Sequence, residues 1–156
     1  MAQVTGESTF RSARVWITTG TTWVEMSGAL TSVAGGGGER VTGSVNTAES
    51  DYALIGAGPL APETLTVNYV YSEGSTGVTG IYSILHTTRT TSGGGTFGVR
   101  YAIKASTGQF QWSSDTGTNG TILVSAPHPS GDVSSGDPIV GSFETLTKKF
   151  TKGTTS

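Results

Sequence analysis

The chain has 156 residues, 24 of them glycine, with no cysteine, a net charge of −2 and only 13% charged residues. That length suits one domain with its own core, and the charge balance leaves no basic footprint for nucleic acid. Zero cysteine excludes a disulfide framework and a thiolate metal site, and no apolar run approaches the length of a membrane-spanning helix.

Gly, Ser and Thr make up close to half of the chain. Thr and the aromatics favour strands, and scattered Gly favours turns, so an all-β protein of many short strands is expected. Residues 1–12 read as a flexible N-terminal arm, 13–150 as a single domain and 151–156 as a flexible C-terminal tail. The start, Met1 to Glu7, lacks the charged and apolar regions of a signal peptide, which fits synthesis in a cytoplasm.

Arg14–Thr18 and Thr22–Met26 read as strands joined by Thr19-Gly20-Thr21, with Ala29–Val33 as an extension of the second strand beyond Gly28. The four glycines Gly35 to Gly38 lose too much backbone entropy to be expected inside a strand and read as a loop tip or hinge. No Lys-Ser or Lys-Thr follows them, and no helix opens after them, which argues against a phosphate-binding loop. Glu39–Asn46 reads as a strand with Val41 and Val45 on one face, and Ser50–Ile55 as another with Tyr52 and Leu54 in phase. The rest of Thr47–Pro62 is rich in Ala, Gly and Pro, a long excursion between strands.

Thr64–Tyr71 has period two: Leu65, Val67, Tyr69 and Tyr71 face one way, Thr64, Thr66 and Asn68 the other. Val78, Ile81, Tyr82 and Leu85 then fall at helical spacing, predicting one amphipathic helix over about 76–88 with Ser75 or Thr76 as N-cap. Ser92–Gly95 reads as a loop, Thr96–Lys104 as an alternating strand, Gln109–Trp112 as its hairpin partner and Thr121–Ala126 as a further strand. Pro127–Asp137 is turn-rich, and Pro138–Phe150 closes the domain as a last strand or strand pair. About eight strands and one helix imply a mainly β protein, a β-sandwich or partly closed barrel with one flanking α-helix.

Catalytic equipment is missing from the sequence. There is no Gly-x-Ser-x-Gly elbow, no cysteine nucleophile and no pair of carboxylates on a shared strand face. His86 and His128 lie far apart without further zinc ligands, and Asp132 and Asp137 lack the closing Glu of a calcium loop. No metal, cofactor or catalytic residue is therefore expected. Asn119-Gly120-Thr121 matches a glycosylation sequon, and reads better as a tight Asn-Gly turn. Trp16, Trp23 and Trp112 with Tyr52, Tyr69, Tyr71 and Tyr101 admit a sugar-binding face as well as a core role; their phase with aliphatic neighbours assigns most of them to the core.

The segments Trp23–Gly28, Glu39–Thr42, Gly58–Tyr71 and Val78–Leu85, followed by Ile139–Thr147, form an ordered series. In order and length this series resembles the major tail tube proteins of long-tailed bacteriophages, with the tube subunits of contractile tails and type VI secretion as a close variant. The resemblance implies a β-sandwich with a flanking helix, six subunits in a ring, and rings stacked into a hollow tube through which DNA passes. It implies a loop reaching the neighbouring ring, here 35–58, with Gly35, Gly36, Gly37, Gly38, Glu39, Arg40, Tyr52 and Leu54 as self-association residues. Other copies of the chain, a tape measure, a tail terminator, and a baseplate or tip protein are the implied partners, with transient contact to passing DNA and none to a membrane. The implied location is the virion tail, after assembly in the host cytoplasm. With polar strand faces toward the channel, Thr66, Asn68, Arg100 and Lys104 are the lumen candidates. The run of four glycines and the small net charge depart from that pattern, leaving a more flexible loop and no assured acidic lumen. The alternative is a β-sandwich binding or adhesion module, such as a virion decoration or carbohydrate-binding domain. A small enzyme on a barrel is a third reading, which the missing catalytic constellation disfavours.

Overall fold

A strand that is apolar at every second residue must bury one face, and Leu65, Val67 and Tyr69 supply the centre of this structure, all but inaccessible to solvent. The computed structural model describes residues 13–20, 22–26, 29–48, 52–71, 76–91, 96–104, 109–117 and 120–154. Among these, in chain order, are β1 (Arg14–Thr18), β2 (Val24–Glu25), β3 (Leu30–Gly37), β4 (Arg40–Val45), β5 (Leu54–Leu60), β6 (Glu63–Val70), α1 (Thr76–Thr90), β7 (Gly98–Ala102), β8 (Phe110–Ser114), β9 (Thr121–Ser125), β10 (Val140–Thr147) and β11 (Phe150–Thr154). The expected arm 1–12, the N-cap at Ser75, the loop 92–95 and the turn residue Asn119 lie outside the described residues.

The strands form a five-stranded sheet in the order β11-β8-β7-β1-β2, a four-stranded sheet β3-β6-β10-β9 and a two-stranded sheet β4-β5. All pairs are antiparallel. The two larger sheets share one core: Val15, Ile17 and Val99 come from the first, Leu65, Val67, Tyr69 and Phe143 from the second. Phe97 and Phe143 meet edge to face at 6.3 Å. Each such side chain contributes about 1.5–3 kcal/mol by leaving water. Ile81 and Leu85 turn the apolar face of α1 into the same core, as their spacing predicts. The expected sandwich with one helix is thus present, with eleven strands among the described residues and no closed barrel.

Two close contacts fix how the four-stranded sheet fits together. Tyr69 lies opposite Gly141, where a Cβ would stand 2.6 Å from the Tyr69 ring, so only glycine leaves room for the tyrosine in the core. Phe150 donates its N–H to Glu63 Oε2 at 2.6 Å and so ties β11 of one sheet to β6 of the other.

Four sequence expectations need correction. Ala29–Val33 does not extend β2. Ala29 N–H bonds Met26 O, and the strand that follows, β3, lies in the other sheet. The glycine run is not a free loop: Gly35, Gly36 and Gly37 pair with Leu65, Thr64 and Glu63. Ladder hydrogen bonds offset the entropy that argued against a strand, and a steric demand explains the residue type. Gly37 and Gly38 have φ of 76° and 74°, and a Cβ on Gly37 would stand 2.4 Å from Pro62 O. The Ser50–Ile55 candidate falls partly outside the described residues, and the strand is instead β5, reaching Leu60 through Gly58-Pro59. A register shift between Arg40 and Thr42 accommodates it, as proline in a strand requires. The segment expected as a loose tail contributes Thr151–Thr154 to β11, where it pairs with β8.

These contacts set two expectations. Gly37→Ala combines left-handed backbone with a backbone clash and should cost about 1–3 kcal/mol in urea unfolding. Gly43→Ala, which meets nothing within 4 Å, should be close to neutral. Burial pushes the Tyr69 phenol up to about 12, with the charges of Tyr82 and Tyr71 adding to it. The folded protein therefore holds that proton more tightly than the unfolded chain. The contribution is complete below the ordinary tyrosine value of 10.0 and is lost as pH rises toward about 12. Urea midpoints from about pH 8 to about pH 11 should fall in the wild type and flatten in Tyr69→Phe.

Candidate functional site

The ladder between β3 and β6 does not stop at the edge of the sandwich. Gly37 pairs with Glu63, Gly38 N–H bonds Pro62 O at 3.1 Å, Ala61 N–H bonds Glu39 O at 2.8 Å, and Arg40 pairs with Leu60. β3-β4 and β5-β6 are therefore one long hairpin. Its base lies in the core sheet, and its outer half, β4-β5, is an arm set off by the two left-handed glycines. At about 3.3 Å per residue the six residues of β4 carry it about 20 Å beyond its base. Arg40 Nη1 donates to Gly58 O at 2.8 Å and braces the arm near its root.

The arm's side chains are unusual for an exposed hairpin. Every residue of β4 and nearly every residue of β5 is exposed. Val45 pairs with Leu54 and Ser44 with Ile55, so Leu54 and Ile55 point to opposite faces. Leu54 is 58% exposed, Ile55 82% and Tyr52 83%. Val41 and Leu60 add to the same apolar surface. A two-stranded hairpin is marginal alone, and apolar side chains on both faces mark a partner surface. Of the sequence candidates, Gly35 and Gly36 lie in β3 of the core sheet, Gly37 and Gly38 form the left-handed step, Glu39 and Arg40 the root, and Tyr52 and Leu54 the apolar outer half. Sequence reasoning omitted Ile55 and Leu60, because the strand holding them was placed too early. The period-two register with Val45 and Ser44 is the signal that would have found Ile55.

The four-stranded sheet has a second distinctive face. Ser32, Asn68 and Ser142 lie across from one another, as do Ala34, Thr66, Glu144 and Ser125. Asn68 Nδ2 donates to Ser32 Oγ at 2.8 Å. These positions alternate with the buried ones and so face away from the core. The middle of this outer face carries small polar groups and one carboxylate, Glu144, with no Lys or Arg, while Val70, Val140, Leu146 and Ile122 add apolar side chains toward its ends and Val124 is exposed on β9. Within the described residues, both edge strands, β3 and β9, pair on one side only.

The four lumen candidates do not share a face. Thr66 and Asn68 lie on this polar surface. Arg100 is on β7 in the other sheet, its guanidinium 4.2 Å above the Trp23 ring and its Nε donating to Ser113 Oγ. Partial burial lowers its pKa. Lys104 is exposed just beyond the same strand. In a sandwich the outer faces of the two sheets point apart, which separates the pairs. The aromatics are also engaged internally: Trp112 stacks on Tyr101 at 5.2 Å, and Phe150 meets Tyr101 edge-on.

At the end of the sandwich opposite the arm, the structure joins residues that are distant in sequence. His128 Nδ1 lies 2.5 Å from Tyr82 Oη, and Arg89 Nη2 lies 3.4 Å from His128 Nε2. Arg89 Nη1 also bonds Ala126 O, and the rings of His86 and His128 are 6.2 Å apart. The described residues contain no cluster of three or more His, Asp or Glu able to hold a metal. They also contain no helix long and apolar enough to cross a membrane.

Because Leu54 and Ile55 are exposed and touch no core, Leu54→Asp with Ile55→Asp should leave thermal stability within about 0.5 kcal/mol of wild type. Binding of an apolar reporter dye should fall in the same variant.

No family model matches this sequence, and no curated protein does. The fold itself is shared with chains of several solved assemblies. One belongs to the sheath/tube terminator of an extracellular contractile injection system, PVC, in its extended state: TM-score 0.66, 13% identity, covering 97% of this chain and 99% of that one. Another belongs to the tube-terminating cap of the anti-feeding prophage: TM-score 0.63, 14% identity, with 99% and 95% covered. A third belongs to the tail of an empty gene transfer agent particle with C6 symmetry: TM-score 0.59, 11% identity, with 99% and 100% covered. At these identities the likeness is one of fold, and it runs over nearly the whole of each chain.

Proposed function

We propose that this protein is a non-enzymatic structural subunit of a phage-tail-like particle, which assembles into rings stacked as a hollow tube. The observation that carries the reading is the four-stranded sheet, whose two edge strands are open among the described residues and whose outer face is polar at its centre. An open edge is a liability in a monomer. Pairing β9 of one copy with β3 of the next removes both edges, and repetition of that heterologous contact closes a ring. Six copies per ring agree with the symmetry of the gene transfer agent tail that shares the fold.

In such a ring the outer face of the four-stranded sheet lines the channel. Thr66, Asn68, Ser142 and Glu144 then face the lumen, while Arg100 and Lys104 belong to the tube exterior. The absence of lysine and arginine from the described lumen positions suits DNA passage, because phosphate contacts would hold the polymer rather than let it slide. The arm β4-β5 joins successive rings, and tape measure, terminator and baseplate or tip proteins meet the tube at its ends. The particle, after assembly in the host cytoplasm, is the site of action.

Negative-stain microscopy of purified protein should show rings or tubes with a central channel, and a strictly monomeric protein would sink the reading. Replacing residues 40–60 with a short Gly-Ser linker should leave rings but abolish stacked tubes in the same images.

A further inference from the structure

The arm leaves the sandwich where Glu63 pairs with Gly37 on one side and Thr147 on the other. The same strands end on the opposite side where Val70 pairs with Val140. That far end carries the turn-rich segment 126–139, and it holds a separate set of exposed apolar side chains. Val133 is fully exposed, and Ile139 and Val140 are 43% and 54% exposed.

This far-end loop is built to stay in place. Asp132 Oδ1 accepts from Ser134 N–H at 2.9 Å and from Ser134 Oγ at 2.7 Å, and Ser135 Oγ donates to Asp132 O. Those two bonds from Ser134 lower the Asp132 pKa, the backbone one most. Gly136 supplies the left-handed turn at φ 67°. Ser130 bridges to Val140, and the Tyr82–His128–Arg89 contacts fasten the start of the loop to α1. Self-contained bonds thus hold Val133 out into solvent at the apex of an ordered turn. A surface ordered in advance loses less freedom on binding.

We infer that this loop is the receptor for the arm of a second copy of the same chain: Val133, Ile139 and Val140 of one copy receive the face of the arm that carries Ile55 in the copy stacked against it. The inference rests on the tube reading. Three facts commit it to a second copy. The two apolar patches sit at opposite ends of the same pair of strands, so translation of one copy along the strand direction brings them together without any rotation. The arm, at about 20 Å, overhangs the sandwich by enough to overlap the near end of the next copy. A donor patch and a receptor patch on one chain make a heterologous contact that repeats without closing, the geometry a stack needs.

The chain has no cysteine, so single thiols report the contact cleanly. Ile55→Cys and Val133→Cys proteins, mixed under assembly conditions and treated with a short bismaleimide, should give a cross-linked dimer, and a chain carrying both substitutions should give a ladder. Ile55→Cys mixed with Phe110→Cys, an exposed apolar site on the five-stranded sheet, should give no dimer. Tubes seen by microscopy with no Ile55–Val133 link would overturn the inference and leave the tube reading standing. Self-linking of Ile55→Cys alone, or an equal link to Phe110→Cys, would also overturn it. A monomer with no link would overturn both readings, whereas a ladder without tubes would support the contact and remove the tube.

Discussion

The structure depends on one long antiparallel hairpin that runs from the core to solvent, with register shifts after Leu30 and after Arg40. From Leu30 opposite Tyr69 out to Val45 opposite Leu54, β3-β4 faces β5-β6 along a single hairpin. Its inner half is held by burial: Leu65, Val67 and Tyr69 lie against the five-stranded sheet and α1. Its outer half has backbone pairing but almost no side-chain burial. The change occurs at Gly37 and Gly38, where left-handed backbone and contact with Pro62 leave no room for a side chain. The stable part of the fold therefore anchors, and fixes the root of, the part that is left to find a partner.

Those elements whose pattern comes from burial were legible in the sequence. The alternation in Thr64–Tyr71, the helical spacing of Ile81 and Leu85, and the pairing of Thr96–Lys104 with Gln109–Trp112 all reappear in the structure, because one face of each lies in the core. The arm was less legible for the same physical reason. β4 was legible from Val41 and Val45 in phase, but β5 buries almost nothing and carries Gly56, Gly58 and Pro59, which usually signal a loop. The glycine run suggested freedom, whereas here it answers a steric demand that only the partner strand reveals. The lumen candidates divided because period two states which residues share a face of one strand, but not which sheet that strand joins. Likewise, nothing in the spacing of His86, Arg89 and His128 reveals that a crossing loop brings them to one place.

Polarity is distributed to match the proposed assembly. The outer face of the four-stranded sheet is polar at its centre, apolar toward its ends, and free of basic side chains at the positions described. The five-stranded sheet carries Arg14 bonded to Glu25 and Arg100 over Trp23 on its outer side. One sheet thus offers a surface with little to hold a polyanion, and the other offers charge and aromatic area to whatever surrounds it. Among the described residues both edges of the first sheet are open, so in the proposed assembly one set of strands would both close the ring and form the channel wall.

The arm has a further consequence, which concerns how long a stack grows. In the proposed stack its contact with the next copy would be the same at every layer and would contain no term that depends on how many layers already exist. Addition governed by that contact alone is open-ended polymerisation, with lengths spread broadly about a mean set by subunit concentration. A tube of uniform length therefore requires information from outside this chain, in the form of a ruler that spans the channel or a cap that occupies the arm of the last layer.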